Sequence, residues 1–327
     1  MAAQIQQTPN FSQRLRSLLL SQEGILFLIL VVATIVLSSF NPNFLAINNL
    51  LNQARLLCEV GLVALPMTYI IITGGIDLSV GSILGLCAIL LGIFWKAGVP
   101  LGLTIVLVLI VGIFAGAFNA LFIVWLDVPP LIMTLATLAL YRGMAQGISQ
   151  ARSVRGYPEW FYIFGQENVL GLPTQLWFFI IGIIVSAIVL ARTTLGRALY
   201  AIGNNVVGAR FSGLRVSRAL VIIYSFSGFM AALAAVVFVS RVTTTRSDMG
   251  SGLELDAIAA VVLGGTSIMG GKGTILGTVI GLLLIQLLKY GLQLLGVTGD
   301  ATIIVIGSVL IVTVLLNNLI QRRRGVT

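Results

Sequence analysis

The sequence predicts an all-α, polytopic membrane helical bundle of about ten transmembrane helices, with one further short helix on the cytoplasmic face. Three observations predict it. Of 327 residues, 58% are hydrophobic and 9% charged, against about a quarter charged in soluble domains. The apolar runs reach the roughly 20 residues that a helix needs to cross a hydrocarbon core, and mean hydropathy is +1.08. Their periodicity is not the alternate-residue pattern of a membrane barrel.

Taken in order, hydropathy gives spans at Gly24–Phe40, Arg55–Thr73, Ser79–Trp95, Leu101–Leu126 and Pro130–Gln150. The second half gives Gln175–Ala191, Ala219–Ser240, Ala257–Met269, Thr274–Gly296 and Thr302–Leu319. The chain then divides into an N-terminal arm (1–23), one transmembrane domain (24–319) and a basic tail (320–327). The first apolar stretch runs straight on as a span with no small-residue cleavage site, so it reads as a helix and not a signal peptide. The fifth span is polar at one end, and the eighth is short and ends in glycines. Such segments either line a cavity, where irregular backbone is tolerated, or are short spans in a thin part of the protein.

Charge orients the zigzag. Of 19 basic residues, Arg14, Arg16, Arg192, Arg197, Arg210, Arg215, Arg218, Lys272 and Arg322, Arg323 and Arg324 fall on one side. The other side receives Lys96, Arg152, Arg155, Arg241 and Arg246. Positive charge marks the cytoplasmic face, so both termini are expected inside a bacterial inner membrane. The formal charge of +9 follows helix ends, which argues for topology and anionic headgroups and against nucleic acid.

Thirty-six glycines make about 11% of the chain, against about 7% usually. Gly81/Gly85, Gly112/Gly116, Gly273/Gly277/Gly281 and Gly228/Ala232 stand at four-residue spacing. Small residues at that spacing let helix backbones approach closely. A repeat links ITGGIDLSVGSILGL (72–86) with VLGGTSIMGGKGTILG (262–277). Each is an apolar run, a Gly-Gly break, a polar turn and a second apolar run. Gly74, Gly75, Asp77, Gly264, Gly265, Gly270 and Gly271 are therefore candidate structural or gating turns.

The sequence carries no chemistry of its own. Gly265 to Lys272 (GTSIMGGK) only glances at a phosphate-binding loop: Gly273 follows the lysine where a Ser or Thr must hold magnesium. With no histidine and two cysteines, Cys58 and Cys87, both in apolar segments, no metal site, cofactor site or Ser-His-Asp set is expected. Asp77 and Asp127 stand at span ends and lack the setting of an intramembrane aspartyl protease. Glu59 follows Arg55 at i+4, the spacing of a helical ion pair. Asp77 is placed to cap the third helix or to serve a moving hinge. Arg142 and Lys289 either snorkel or face a water-filled path.

The longest cytoplasmic loop (193–217) reads TTLGRALYAIGNNVVGARFSGLRVS. Leu199, Ile202, Val206 and Ala209 recur at helical spacing, with Arg197 and Arg210 beside them and breaks at Gly203, Asn204, Asn205 and Gly213. This is an amphipathic helix that either rests on lipid or presents its apolar ridge to a cleft in a soluble subunit. A transporter with no motor of its own needs such a subunit.

The blocks GGIDLSVGS (74–82), GRALYAIGNN (196–205), FSGLRV (211–216) and ELDAIAAVVLGGTSIMGGKGTILGT (254–278) resemble the membrane subunits of bacterial ATP-binding-cassette importers for simple sugars, the ribose-permease-like branch. The resemblance covers nearly the whole chain. It implies a dimer of permeases, two cytoplasmic ATPase subunits and a periplasmic solute-binding protein. It also implies that the loop 193–217, with Gly196, Arg197, Ile202, Gly203, Asn204, Arg210 and Gly213, is the coupling helix region. ALPMTYIIITGGIDLSVGSILGLCAILLG (64–92) is similar to permeases for rhamnose and for autoinducer-2, which usually pair two different permeases. The outer loop (151–174) holds Tyr157, Trp160, Phe161 and Tyr162, either to receive the binding protein or as a membrane-surface aromatic belt. Asn119, Thr134, Thr137 and Gln146 are the expected polar residues of a path for a neutral sugar. A secondary transporter or channel independent of any ATPase is the alternative expectation.

Overall fold

The computed structural model describes residues 22–40, 44–150, 152–299, 301–309, 311 and 315. Arg14, Arg16, Asp300 and Arg322 to Arg324 lie outside the described residues. Helices α1 (Gln22–Phe40), α2 (Ile47–Ile72), α3 (Val80–Lys96), α4 (Leu101–Trp125), α5 (Pro130–Ser149) and α6 (Thr174–Arg192) come first. Next are α7 (Thr194–Asn204), α8 (Val206–Phe211), α9 (Val216–Val242), α10 (Leu253–Leu263) and α11 (Ile275–Leu294). Residues 301–309 are helical again.

Apolar composition decides which of these cross the membrane. Among the described residues, α1, α2, α4, α5, α6, α9 and α11, seven in all, are long and apolar enough to do so. Helix α3 has 17 residues. The helix expected at Ala257–Met269 is instead α10, Leu253–Leu263, with 11 residues. At 1.5 Å per residue it is about 16 Å long, half a bilayer. The glycine-rich turn 264–273 follows it, and the irregular segment 243–252 precedes it. The second span starts at Ile47, eight residues before the expected Arg55, because Asn49, Asn52 and Gln53 depress hydropathy without breaking the helix.

Helices α2 and α9 form the centre. Every residue of α2 from Leu57 to Ile72 is buried except Val60. Helix α9 packs on α2, α3 and α4. Its contact with α4 is backbone on backbone: a Cβ on Gly228 would lie 1.9 Å from the Gly112 carbonyl oxygen. The spacing that predicted close approach works here by letting carbonyls fill the groove. Gly277 of α11 meets the Gly264 carbonyl in the same way. Helix α1, by contrast, packs on α11 at the periphery and exposes most of its apolar side chains, as a lipid-facing helix does. Cys58 and Cys87 are buried free thiols.

The loop between α5 and α6 is ordered by its aromatic residues. A 3-10 turn, Glu159–Phe164, precedes a two-residue hairpin, β1 (Asn168–Val169) with β2 (Leu172–Pro173), turning through Leu170 and Gly171.

Candidate functional site

Three breaks in helix converge at the end of the bundle where α2 stops. Thr193 caps α7 by accepting from the Gly196 N–H at 3.2 Å. Gly196 is pressed onto the preceding helix end, where a Cβ would come 2.1 Å from the Leu190 oxygen. One turn short of its end, the α7 Tyr200 hydroxyl donates to the Gly273 carbonyl at 2.7 Å, and burial pushes that phenol above its ordinary pKa. Gly203 then lies directly on two other turns. A Cβ there would fall 1.8 Å from the Ile72 oxygen and 2.5 Å from the Gly271 nitrogen. The Gly271 N–H itself donates to the Ile72 carbonyl at 2.8 Å. The last turn of α2, the turn 264–273 and the end of α7 thus share one backbone node. The two segments that looked like a repeat are both helix–turn–helix breaks, and they pack on each other.

The apolar periodicity of the loop 193–217 faces inward. Leu199, Ile202 and Ala209 are buried against the bundle, Ile202 to 3% exposure, although the sequence suggested an outward ridge. The outward ridge consists of Val206, Val207 and Phe211, the last 89% exposed. Arg197, Asn204 and Arg210 are exposed beside it, and Arg210 stands 3.7 Å from Asp127. Asn205 caps α8 through the Gly208 N–H at 2.8 Å. Gly213 turns the chain toward α9 at a φ of 80°, a region that glycine enters without strain. The sequence reading missed Tyr200, Val207 and Phe211. Tyr200 is held by a carbonyl 73 residues away, a contact that helical spacing does not show, and Val207 and Phe211 fall outside the apolar period that spacing picks out.

Behind the node, Gly74 and Gly75 lead to a buried polar cluster. Asp77 does not cap α3 itself. Its Oδ1 accepts from the Ser79 N–H at 3.0 Å and the Ser79 hydroxyl at 2.6 Å, an Asx turn that leaves Ser79 to start the helix. Ser227 of α9 donates to its Oδ2 at 2.9 Å, and Asn119 of α4 donates to Ser79 at 2.8 Å. Thr134 donates to the Ile76 carbonyl at 3.0 Å. The expected path residues therefore divide. Asn119 and Thr134 belong to this cluster, Thr137 bonds within its own helix at 3.1 Å, and Gln146 is exposed on α5.

Charges within the bundle find distant partners. Glu59 does not pair with Arg55. Arg241 at the end of α9 holds it through two hydrogen bonds, of 2.6 and 3.1 Å. Arg55 instead donates to Asn52, the Gln166 carbonyl and Asn168. Lys289 bonds Asp256 at 2.5 Å. Arg142 turns into the protein and donates to the carbonyls of Ser247 (2.6 Å), Met249 (2.8 Å) and Gly81 (3.1 Å). At the end of the bundle away from that node, Tyr157 and Phe161 are buried in a ring cluster with Trp95 and Trp160. They pack the loop onto the bundle, and only Trp160 is half exposed.

Residues 49–314 match the family model described as branched-chain amino acid transport system / permease component. The chain belongs to that family. The permease is 41% identical over 298 residues to the autoinducer 2 import system permease protein LsrD of Photorhabdus temperata, covering 89% of this chain and 90% of that protein. It is 40% identical over 292 residues to LsrD of Escherichia coli O9:H4, covering 88% of each chain. LsrD of Shigella flexneri matches at the same identity and coverage. No solved structure matches the chain. The permease is a multi-pass protein of the bacterial inner membrane and is of the ATP-binding-cassette sugar-importer type.

Proposed function

We propose that this permease passes a simple sugar or related polyhydroxylated solute from a periplasmic binding protein into the cytoplasm, driven by two ATPase subunits. Among such solutes, autoinducer-2 ranks ahead of rhamnose and ribose. The observation that carries this reading is the likeness, over 88% or 89% of the chain, to relatives whose names state autoinducer 2 import. The second permease subunit is either another copy or a different chain, and both termini lie in the cytoplasm.

Helices α7 and α8 are the coupling element in this reading. The ATPase grips the exposed ridge of Val206, Val207 and Phe211, flanked by Arg197 and Arg210. Its motion reaches α2, α3 and α11 through Gly203, Ile72 and Gly271. The segment 243–263 crosses as irregular chain plus half a helix, which keeps ten crossings and is tolerated where the backbone is enclosed by protein. Alternating access then follows from rigid-body switching of these elements.

Uptake into vesicles containing the permease, with and without the ATPase and binding protein, tests this. Labelled autoinducer-2, L-rhamnose and D-ribose are supplied outside. ATP-dependent accumulation of at least one of them is the expected result. Uptake that proceeds equally without the ATPase sinks the reading in favour of a self-sufficient transporter.

A further inference from the structure

A cavity of mixed lining lies at the opposite end of the bundle from the coupling ridge, beside the start of α10. Its volume is about 440 Å³, within the range of roughly 300–1,000 Å³ typical of small-molecule sites. Val60, Phe238, Val242 and Leu253 give it most of its wall, and Thr244, Arg246, Asp248, Ser251 and Asp256 give it hydrogen-bonding groups. The buried Thr244 hydroxyl has no hydrogen-bond partner among the described residues. Lys289 holds Asp256 by Oδ2, which leaves Oδ1 as an acceptor.

Charge decides what class of solute suits this cavity. Each charged group in its wall is already matched: Arg246 with Asp248, and Asp256 with Lys289. Just behind it, Glu59 is matched with Arg241. An anionic or cationic solute finds no unmatched countercharge in this wall: the exposed pair of Arg246 and Asp248 is screened by water, and parting the more buried Asp256 and Lys289 leaves one of them unmatched. A neutral solute with neighbouring hydroxyls disturbs no pair. It can donate to Asp256 Oδ1 and exchange hydrogen bonds with Thr244 and Ser251, with its C–H face on Phe238.

We infer that this cavity is a transit subsite for a neutral polyol entering from the outer side. The inference rests on the sugar-importer reading and assigns it a place in the chain. The irregular backbone of 243–252 fits such a role, since non-helical chain at membrane depth is tolerated where it lines a cavity. Arg142 fixes that segment from α5 through the Ser247 and Met249 carbonyls.

The test uses the complete importer in vesicles. Both native cysteines are buried, so Ser251→Cys adds one accessible thiol at an exposed position. A membrane-impermeant maleimide is added outside with saturating D-ribose, L-rhamnose, autoinducer-2 or leucine. The solute that the importer accumulates is expected to slow labelling at least threefold, while leucine leaves the rate unchanged. Thr244→Val, which keeps the side-chain shape, is expected to raise the KM for uptake about fivefold at unchanged ATPase rate, as loss of one hydrogen bond predicts. The inference is overturned if the thiol is not labelled from outside, if the transported solute gives no protection, if leucine protects equally, or if Thr244→Val leaves KM unchanged. Absence of ATP-dependent uptake by the unmodified importer counts instead against the proposed function.

Discussion

Single atoms set the tolerance of the node at Gly203. A methyl group there meets the backbone of Ile72 and Gly271, neither of which moves without shifting a helix end. Gly203→Ala is expected to cost about 1–3 kcal/mol through overpacking and to depress ATP-driven uptake more than membrane yield; thermal unfolding in detergent and an uptake assay check the two effects. The pair of Glu59 and Arg241 behaves differently. Glu59→Gln leaves a guanidinium without its partner, an expected loss of about 3 kcal/mol, the low end for a buried pair because Arg241 is partly exposed. Changing both, as Glu59→Gln with Arg241→Met, should recover more than half of that loss in the same melt. Spacing alone pointed Glu59 at Arg55, since i+4 pairing is visible in a sequence. A contact across 182 residues is not.

At the scale of elements, hydropathy revealed the long helices, and four-residue glycine spacing announced close helix approach without saying that α4 and α9 are the pair that makes it. Half a helix is harder to read. The run from Ala257 to Met269 is apolar enough to be read as a span, and only the folded chain shows that the helix starts at Leu253 and ends at Leu263. Amphipathic spacing in α7 told which side chains are covered but not what covers them, so Ile202 was assigned to an outside partner when the bundle itself takes it. The ridge that does face outward supplies the prediction at this scale. Phe211→Ala removes its largest exposed ring and is expected to weaken association with the ATPase at least tenfold, a change of about 1.4 kcal/mol, without altering the thermal melt of the permease. Co-purification and calorimetric titration with the ATPase measure it.

Across the whole molecule, α2, α7, α11 and the turn 264–273 form a continuous body. Thr68 of α2 and Thr278 of α11 meet at 2.7 Å between hydroxyl oxygens, both buried. If this body moves as one, a disulfide between Thr68→Cys and Thr278→Cys leaves uptake intact after oxidation. Uptake that stops on oxidation and returns on reduction places a sliding surface between α2 and α11. Arg142 carries a further consequence. Its cation is held within α5 by three carbonyl oxygens, two of them on the segment that feeds α10, and among the described residues no carboxylate forms an ion pair with it, Glu254 and Asp248 acting on it only from a distance. A charge at that depth feels the membrane potential, at about 2.3 kcal/mol per 100 mV for a full crossing. A step that carries α5 and Arg142 along the membrane normal is therefore electrically biased, and turnover through such a step acquires a voltage dependence even when the cargo bears no charge.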